Sequence, residues 1–244
     1  MDNVDEILEY LKEHRSEKYK KFVTKLGIPE ANSLGVSMKV LRELAKQVEG
    51  TQDLVEALWN TGCHEAQLLA VLLVDPYKVA PKWAISRIDD VHSWDLCDHL
   101  CKNVLFCLPE FEDLILTWQR AEQLYRKRAA FVLIVCAVIH DKKLEENVLD
   151  AYLELIRKHQ SDSRIHVKKA VSWALRTIGK SSIRSFQKAK LIATSLMEDS
   201  NVHRQWVGRD AFNEFNKLIP YTSKNRMVPK NGKIGKLIAE GKLQ

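Results

Sequence analysis

Residues 125–138 read YRKRAAFVLIVCAV, and two later segments repeat this pattern: RIHVKKAVSWALRT at 164–177 and HRQWVGRDAFNEF at 203–215. When the three segments are aligned on one small residue, Ala129, Ala170 and Ala211 lie 41 residues apart at each step. Alanine at such a position allows neighbouring helices to approach closely. A period of about 40 residues is typical of arrays in which each repeat is a pair of α-helices.

The rest of the chain is also patterned for helices. Apolar residues recur at spacings of three and four in nearly every segment, and no segment shows the period of two expected of a strand. Ser37 is a good N-cap residue and predicts a helix over 38–48. Shorter members of the repeat begin at His64 and Trp94. We therefore predict an all-α fold, a HEAT-like helical-repeat solenoid (α-α superhelix) with a concave groove.

Basic residues are concentrated in two regions. The net charge is +6, but residues 120–190 hold sixteen Lys/Arg against seven Asp/Glu, and residues 223–244 hold six against one. This distribution favours a polyanionic partner, nucleic acid being the commonest, although a lysine-rich solvated surface is the alternative. We predict a basic groove in a domain spanning 1–222, followed by a basic tail spanning 223–244, of which the portion 229–244 is expected to be loosely held.

Composition limits the class of protein. A hydrophobic content of 45% and a charged content of 29% are typical of a soluble globular protein. The longest apolar run, residues 129–139, is too short to cross a bilayer, and MDNVDEILEY lacks the basic start of a signal peptide. Five cysteines, an odd number, favour a reducing compartment. We expect a cytoplasmic protein without membrane contact.

No cofactor or metal is expected. The sequence contains no Walker-type loop, Rossmann glycine pattern, nucleophile elbow or HExxH motif. A zinc hypothesis arises from five clustered residues, His92, Cys97, His99, Cys101 and Cys107. Zinc sites favour CxxC pairs, whereas these cysteines are separated by three and then five residues. Cys97 and Cys101 lie one helical turn apart, which suits packing in a helical core.

Residues 93–98 read SWDLCD and place Trp94 and Asp98 on one face of a helix. Two further candidates are Arg128, in RKRAA, and Trp173, in KKAVSWALR. Taken singly, each has a structural explanation, as a core tryptophan, a surface arginine or a helix-surface carboxylate. At equivalent points of successive repeats, the four residues would line one groove.

These segments, in this order and separation, resemble the DNA alkylation repair proteins of the AlkD type, which are HEAT-like-repeat DNA glycosylases. The resemblance extends from LGVSMKVLRELAK, which begins at Leu34, through WALRTIGK. It implies an active cleft formed by Trp94, Asp98, Arg128 and Trp173. The family often has a second aromatic residue before the first tryptophan. Here that position is Ser93, so we expect the cleft shape and substrate range to differ.

The resemblance implies a monofunctional glycosylase that hydrolyses the N-glycosidic bond of N3- or N7-alkylated purines in duplex DNA, as a step of base excision repair. An alkylated purine is already a cationic leaving group, so no general acid is required. Asp98 would stabilise the oxocarbenium-like sugar and position a water, while Trp94 and Trp173 would pack against the deoxyribose. Arg128 would hold a flanking phosphate and orient Asp98. The base would not enter a deep pocket.

The expected partner is double-stranded DNA containing alkylated purines, bound by a monomer at the nucleoid. The expected contacts with the DNA backbone come from the basic central repeats: Lys127, Arg164, Lys168, Lys169, Arg176 and Lys180. Two other functions stay open, a non-catalytic HEAT-repeat protein that binds DNA structures and a HEAT-type scaffold for protein partners. The presence of Asp98 and both tryptophans favours the enzyme, and the basic bias disfavours the scaffold.

Overall fold

The computed structural model describes residues 3–141 and 144–243. Within them lie fourteen α-helices: α1 Val4–Glu13, α2 Glu17–Lys25, α3 Met38–Ala45, α4 Gln52–Asn60, α5 His64–Leu73, α6 Pro81–Ser86, α7 Trp94–Asn103, α8 Phe111–Trp118, α9 Leu124–His140, α10 Glu146–His159, α11 Ile165–Ser181, α12 Ile183–Met197, α13 Val202–Phe215 and α14 Lys233–Ala239. Two strands, β1 Leu218–Tyr221 and β2 Arg226–Pro229, form an antiparallel hairpin. The predicted all-α class is confirmed, with this hairpin as an addition.

The chain divides into two compact units, Met1–Glu112 (unit 1) and Asp113–Gln244 (unit 2). The sequence predicted no boundary before residue 222, whereas this division falls within α8. Within the described part of the chain, no helix is long and apolar enough to cross a membrane.

The core of unit 2 is built on the repeated alanines. Ala129 on α9, Ala170 on α11 and Ala211 on α13 are all fully buried, as expected for residues at which helices approach closely. Helix α9 is buried over ten consecutive residues, 128–137, so it lies inside the unit rather than on its surface. Gly208 of α13 serves the same purpose, because a Cβ there would lie 2.7 Å from the carbonyl oxygen of Ala193 on α12.

Several polar links join successive repeats of unit 2 at the same sequence separation, 38 residues. Ser172 donates to Asp210 at 2.6 Å, and Lys188 donates to Asp150 at 2.6 Å. An ion pair between Arg184 and Glu146 has the same separation. A constant offset is what stacked repeats require, because each helix meets the equivalent helix of the next repeat in the same register.

Unit 1 has shorter repeats, and several of its links span 31 residues. Trp59 Nε1 donates to Asp90 at 2.8 Å, and His64 Nε2 lies 3.0 Å from Asp95 Oδ2. Helix α3 begins at Met38, directly after Ser37 as predicted, but ends at Ala45 rather than at residue 48. The repeat members that the sequence placed at His64 and Trp94 are helices α5 and α7.

The predicted basic tail, 223–244, contains strand β2, and its portion 229–244, expected to be loosely held, contains helix α14. The predicted boundary at 222/223 falls between β1 and β2, and Met227 and Val228 of β2 are only 6% and 5% exposed. Strand β2 packs against α11 and α12. The hairpin escapes sequence analysis because four-residue strands are too short to show a period of two, and Pro220 in β1 argues against a strand.

Candidate nucleic-acid interface

Helix α7 carries the first pair of predicted site residues, and its N-cap is Ser93. The Ser93 side chain is fully buried and accepts a hydrogen bond from the backbone N–H of Leu96. Position 93, at which the family often has an aromatic residue, is therefore a helix cap in this chain. Trp94 and Asp98 follow on one face of α7, both half-buried, as the four-residue spacing predicted.

Trp94 is held by a long-range hydrogen bond. Its indole Nε1 donates to the carbonyl oxygen of Leu26 at 3.0 Å. Leu26 is the C-cap of α2, where carbonyl groups have no partner within the helix. The bond therefore satisfies an orphaned acceptor and restrains the indole ring of Trp94, on the helix face that also carries Asp98.

The other aspartate of SWDLCD has a structural role that the sequence did not indicate. Asp95 accepts a hydrogen bond from Leu96 N at 2.9 Å and lies 3.0 Å from the Nε2 atom of His64, whose side chain is 4% exposed. Burial alone would raise the pKa of Asp95, but its bond with His64 and local hydrogen bonds outweigh burial and lower that pKa. Asp95 therefore joins the first turns of α5 and α7.

The cysteine and histidine cluster lies on and beside α7. Cys97 and Cys101 are fully buried on the helix, as expected of core packing. Burial is the main cause that lowers the pKa of both His92 and His99, which favours their neutral rings. Among the described residues, no group of three His, Cys, Asp or Glu side chains is placed to hold a metal ion.

Arg128 lies on α9 in unit 2, and it is buried rather than displayed on the surface. Arg128 is 4% exposed, and its Nη1 atom donates to the carbonyl oxygen of His166 at 2.6 Å. His166 lies in the first turn of α11, so this bond ties that turn to α9. Burial and the neighbouring positive charges of Arg128 and Lys169 lower the pKa of His166.

Trp173 lies on α11 and is half-buried. It lines a depression of about 450 Å³ in unit 2, here named the Trp173 recess, whose other lining residues are Val138, Ile139, Thr177, Lys180, Ser181 and Arg226. Val138 and Ile139 come from α9, and Arg226 comes from β2. The sequence analysis did not include Arg226 among the site residues, because it placed that residue in a basic tail outside the repeat domain.

Two of the six predicted DNA-contacting residues hold one carboxylate. Lys127 Nζ lies 2.9 Å and Arg164 Nη2 lies 2.7 Å from Asp162 Oδ2, and the Asp162 side chain is 7% exposed. Burial alone would raise the pKa of Asp162, but hydrogen bonds from Arg164 and Lys127 hold it well below its usual range. Arg164 also donates to the carbonyl oxygen of Glu122. Lys127 and Arg164 therefore stabilise the segment that precedes α11, because both neutralise Asp162.

Two more predicted contacts share a second carboxylate. Arg176 Nη1 donates to Glu214 Oε2 at 2.5 Å, and Lys180 Nζ donates to Glu214 Oε1 at 2.6 Å. Arg176 Nε also lies 3.4 Å from Asp210. Burial alone would raise the pKa of Glu214, but the two cations outweigh burial and lower it, so the carboxylate is ionised at neutral pH.

Lys168 and Lys169 have different surroundings. The Lys168 ammonium lies 4.9 Å from the centroid of the Trp206 ring. In this cation–π contact the ammonium can still donate hydrogen bonds to a phosphate. Of the six predicted contacts, Lys169 is exposed, and Lys168 faces an aromatic ring where the other four face a carboxylate. Trp206, on α13, also escaped the sequence analysis, although it stands within the third repeat segment.

The architecture and these side chains define a HEAT-like helical-repeat protein with basic side chains on its C-terminal unit. One solved structure is similar to this protein, with a TM-score of 0.71 and 20% sequence identity. The similarity covers 100% of this chain and 96% of the chain in that structure. That structure is described as representing a new family of proteins related to the HEAT-like repeat DNA glycosylases, with affinity for branched DNA structures. At this identity the likeness establishes the fold.

The family follows from the sequence itself. The model of the DNA alkylation repair enzyme family matches residues 7–212, so the chain belongs to that family. The resemblance inferred from SWDLCD, RKRAA and KKAVSWALR is confirmed. No curated protein matches the sequence.

Proposed function

We propose that this protein is a DNA glycosylase that releases N3- and N7-alkylated purines from duplex DNA. The observation that carries the proposal is the pairing of Asp98 with Trp94 on α7, in a member of the DNA alkylation repair enzyme family. Trp94 is fixed by its bond to Leu26, and Asp98 is half-buried beside it. An aromatic face and a carboxylate in fixed positions suit a reaction in which positive charge develops on a sugar.

The chemistry requires little else from the protein. The alkylated purine leaves as a neutral base when the glycosidic bond breaks, because it already carries the positive charge. The deoxyribose becomes oxocarbenium-like, and water then adds at its anomeric carbon. Asp98 supplies negative charge to that sugar and accepts a hydrogen bond from the attacking water. For Arg128 and Trp173 the roles implied by the resemblance stay predictions, and Arg128 is 4% exposed, with its Nη1 atom already donating to the carbonyl oxygen of His166.

Duplex binding in this proposal depends on the DNA backbone rather than on base sequence. Lys168 and Lys169 are the leading contacts, because the other four predicted cations already hold Asp162 or Glu214. A phosphate competes with these carboxylates only at the cost of breaking an existing ion pair. We propose that the protein acts as a monomer on chromosomal DNA in the cytoplasm.

A second candidate function is non-catalytic binding of branched DNA. The similar solved structure is described as having affinity for branched DNA structures, and Ser93 replaces an aromatic residue that the family often has. Asp98 and both tryptophans are nevertheless present, and a protein that only binds DNA has no need of a carboxylate near phosphates. We therefore place the glycosylase first.

One assay separates the two functions. Duplex DNA treated with a methylating agent is incubated with the protein, and the free bases are separated by chromatography. The glycosylase releases 3-methyladenine and 7-methylguanine well above the spontaneous rate. It releases neutral adducts slowly, because no group is assigned to protonate such leaving groups. Tight binding to the same duplex without release above the spontaneous rate supports the second function instead.

A further inference from the structure

The Trp173 recess is open to solvent and combines two kinds of surface. The Trp173 ring and the side chain of Ile139, which is 56% exposed, supply apolar surface. Lys180 and Arg226 supply positive charge. Its volume of about 450 Å³ falls in the range of roughly 300–1,000 Å³ that small-molecule sites occupy.

Arg226 is held in place by an anchored strand. It pairs with Tyr221 across the hairpin, and its guanidinium carbon lies 5.9 Å from the centroid of the Tyr221 ring. The preceding residue, Asn225, adopts a left-handed conformation that permits the tight turn, and its Oδ1 atom accepts from Ile183 N at 3.4 Å. The next residue, Met227, is buried. An exposed arginine on a fixed strand is a cation whose position is set in advance.

The second cation shares its carboxylate with another cation. Lys180 donates to Glu214, and Arg176 donates to the other oxygen of the same carboxylate. If Lys180 turns to an incoming anion, Glu214 keeps its bond with Arg176, which also faces Asp210. The usual penalty for breaking a partly buried ion pair is therefore reduced at this place.

A larger recess of unit 2 lacks this combination. It has a volume of about 560 Å³, and its lining includes Asp150, Glu154, Arg157 and Lys188. Both oxygens of Asp150 accept from Lys188 at 2.6 Å, and Arg157 lies beside Glu154. Its charges therefore cancel, and it contains no aromatic ring. The volume of a recess does not decide which ligand it binds. The lining of the Trp173 recess, an aromatic ring beside two cations, suits an anion that carries a flat apolar group.

We propose that the Trp173 recess binds one unpaired nucleotide of a DNA strand, with the base against Trp173 and the phosphate at Arg226 and Lys180. A base offers a flat face that stacks on an aromatic ring, and its phosphate offers negative charge. This inference rests on the DNA-binding part of the proposed function and names a substrate class for it. DNA with an unpaired strand, as at a flap or a branch, binds more tightly than a fully paired duplex.

The test uses fluorescence anisotropy of the full chain with two labelled DNAs, a blunt duplex and the same duplex with a short unpaired extension. The wild type binds the extended DNA more tightly by roughly tenfold, a value typical of one stacked base. Arg226→Gln removes most of that preference and changes affinity for the blunt duplex by less than about twofold, because only the extension reaches the recess. Arg226→Lys retains the preference.

The matched control is Arg157→Gln, which removes one exposed positive charge at the other recess of unit 2 and leaves the preference intact. Thermal melting shows that both variants are folded. Equal affinity of the wild type for the two DNAs overturns the inference, and so does an equal loss of affinity for both DNAs in Arg226→Gln. Base release from methylated blunt duplex is measured in parallel, so failure of the glycosylase proposal is recognised independently.

Discussion

The two units differ in how they satisfy carboxylates that join segments distant in the sequence. In unit 1, Glu65 is 1% exposed and accepts from Ser33 Oγ at 2.8 Å and from the backbone N–H groups of Leu34, Gly35 and Val36. No lysine or arginine takes part in these bonds. In unit 2, the carboxylates that link the repeats face cations: Asp150 with Lys188, Glu146 with Arg184, and Glu214 with Arg176 and Lys180.

This difference changes the meaning of the basic excess in residues 120–190. Asp210 and Glu214 lie outside that window, yet the 38-residue offset of the repeats brings them against Ser172 and Arg176 of α11. A charge count along the sequence therefore overestimates the positive potential that unit 2 offers to DNA. The charge accessible to a duplex comes from fewer side chains, among which we place Lys168 and Lys169.

The largest effect that we expect on stability concerns Glu65. Replacing it with Gln puts an NH₂ donor or a weaker neutral acceptor among four donor groups, so buried N–H groups lose their partner. We expect Glu65→Gln to lower the free energy of unfolding by about 3 kcal/mol, measured by urea denaturation. Glu43→Gln is the control, because Glu43 is exposed and pairs only with Lys46 one turn away. Equal stability of the two variants would contradict this description of unit 1.

A smaller effect is expected at Asp95, and it depends on pH. The folded-state pKa of Asp95 is lowered, so its carboxylate stabilises the protein above about pH 4, the pKa in the unfolded chain. That contribution is lost as pH falls through the lowered folded-state pKa. We expect Asp95→Asn to cost about 2 kcal/mol at pH 7 and progressively less towards pH 3. Asp53→Asn, at an exposed position of α4, serves as the control. A pH-independent difference would show that the bond with His64 is unimportant.

The comparison between paired and accessible cations predicts a still smaller effect, on DNA affinity. We expect Lys169→Gln to reduce the slope of log affinity against log salt concentration by about 1, with damaged and intact duplexes affected alike. Lys188→Gln, which removes a lysine already paired with Asp150, leaves the slope unchanged. Anisotropy titrations over a range of salt concentrations measure both variants. Equal slopes for the two variants would show that pairing does not decide which lysines contact phosphate.

The last prediction, removal of metal ions, is that nothing changes. A chelator leaves the melting temperature and base release unchanged, because Cys97 and Cys101 are buried in the core at a spacing that does not suit tetrahedral zinc. Elemental analysis of the purified protein provides the independent check. One zinc ion per chain would overturn the prediction.

Local patterns in the sequence predicted much of this structure, and long-range pairings account for the rest. Ala129, Ala170 and Ala211 reveal the repeat because each helix buries the same small residue. Trp94 and Asp98 share a face because spacing within one helix fixes that relation. The burial of Arg128 depends on the carbonyl group of His166, 38 residues away, which no local pattern shows.

The same reasoning explains what was missed in the candidate site. The role of Asp95 depends on His64, and that of Lys180 depends on Glu214, both in neighbouring repeats. For both residues the partner lies about one repeat away along the chain, so the repeat register has to be known before the partner is. Arg226 was assigned to the basic tail because the β-hairpin that carries it is too short to leave a pattern.

The central claim is that Asp98 stabilises a cationic sugar, and the most direct test compares the two aspartates of SWDLCD. Base release from methylated duplex DNA is measured for the wild type, Asp98→Asn and Asp95→Asn, at a temperature at which all three are folded. We predict that Asp98→Asn lowers the rate by roughly a hundred- to a thousandfold, the usual effect of losing one preorganised electrostatic contact. Its affinity for DNA is unchanged or slightly higher, because a carboxylate repels phosphates. Asp95→Asn loses stability but retains most of the rate. Release by Asp98→Asn at the wild-type rate would contradict the account.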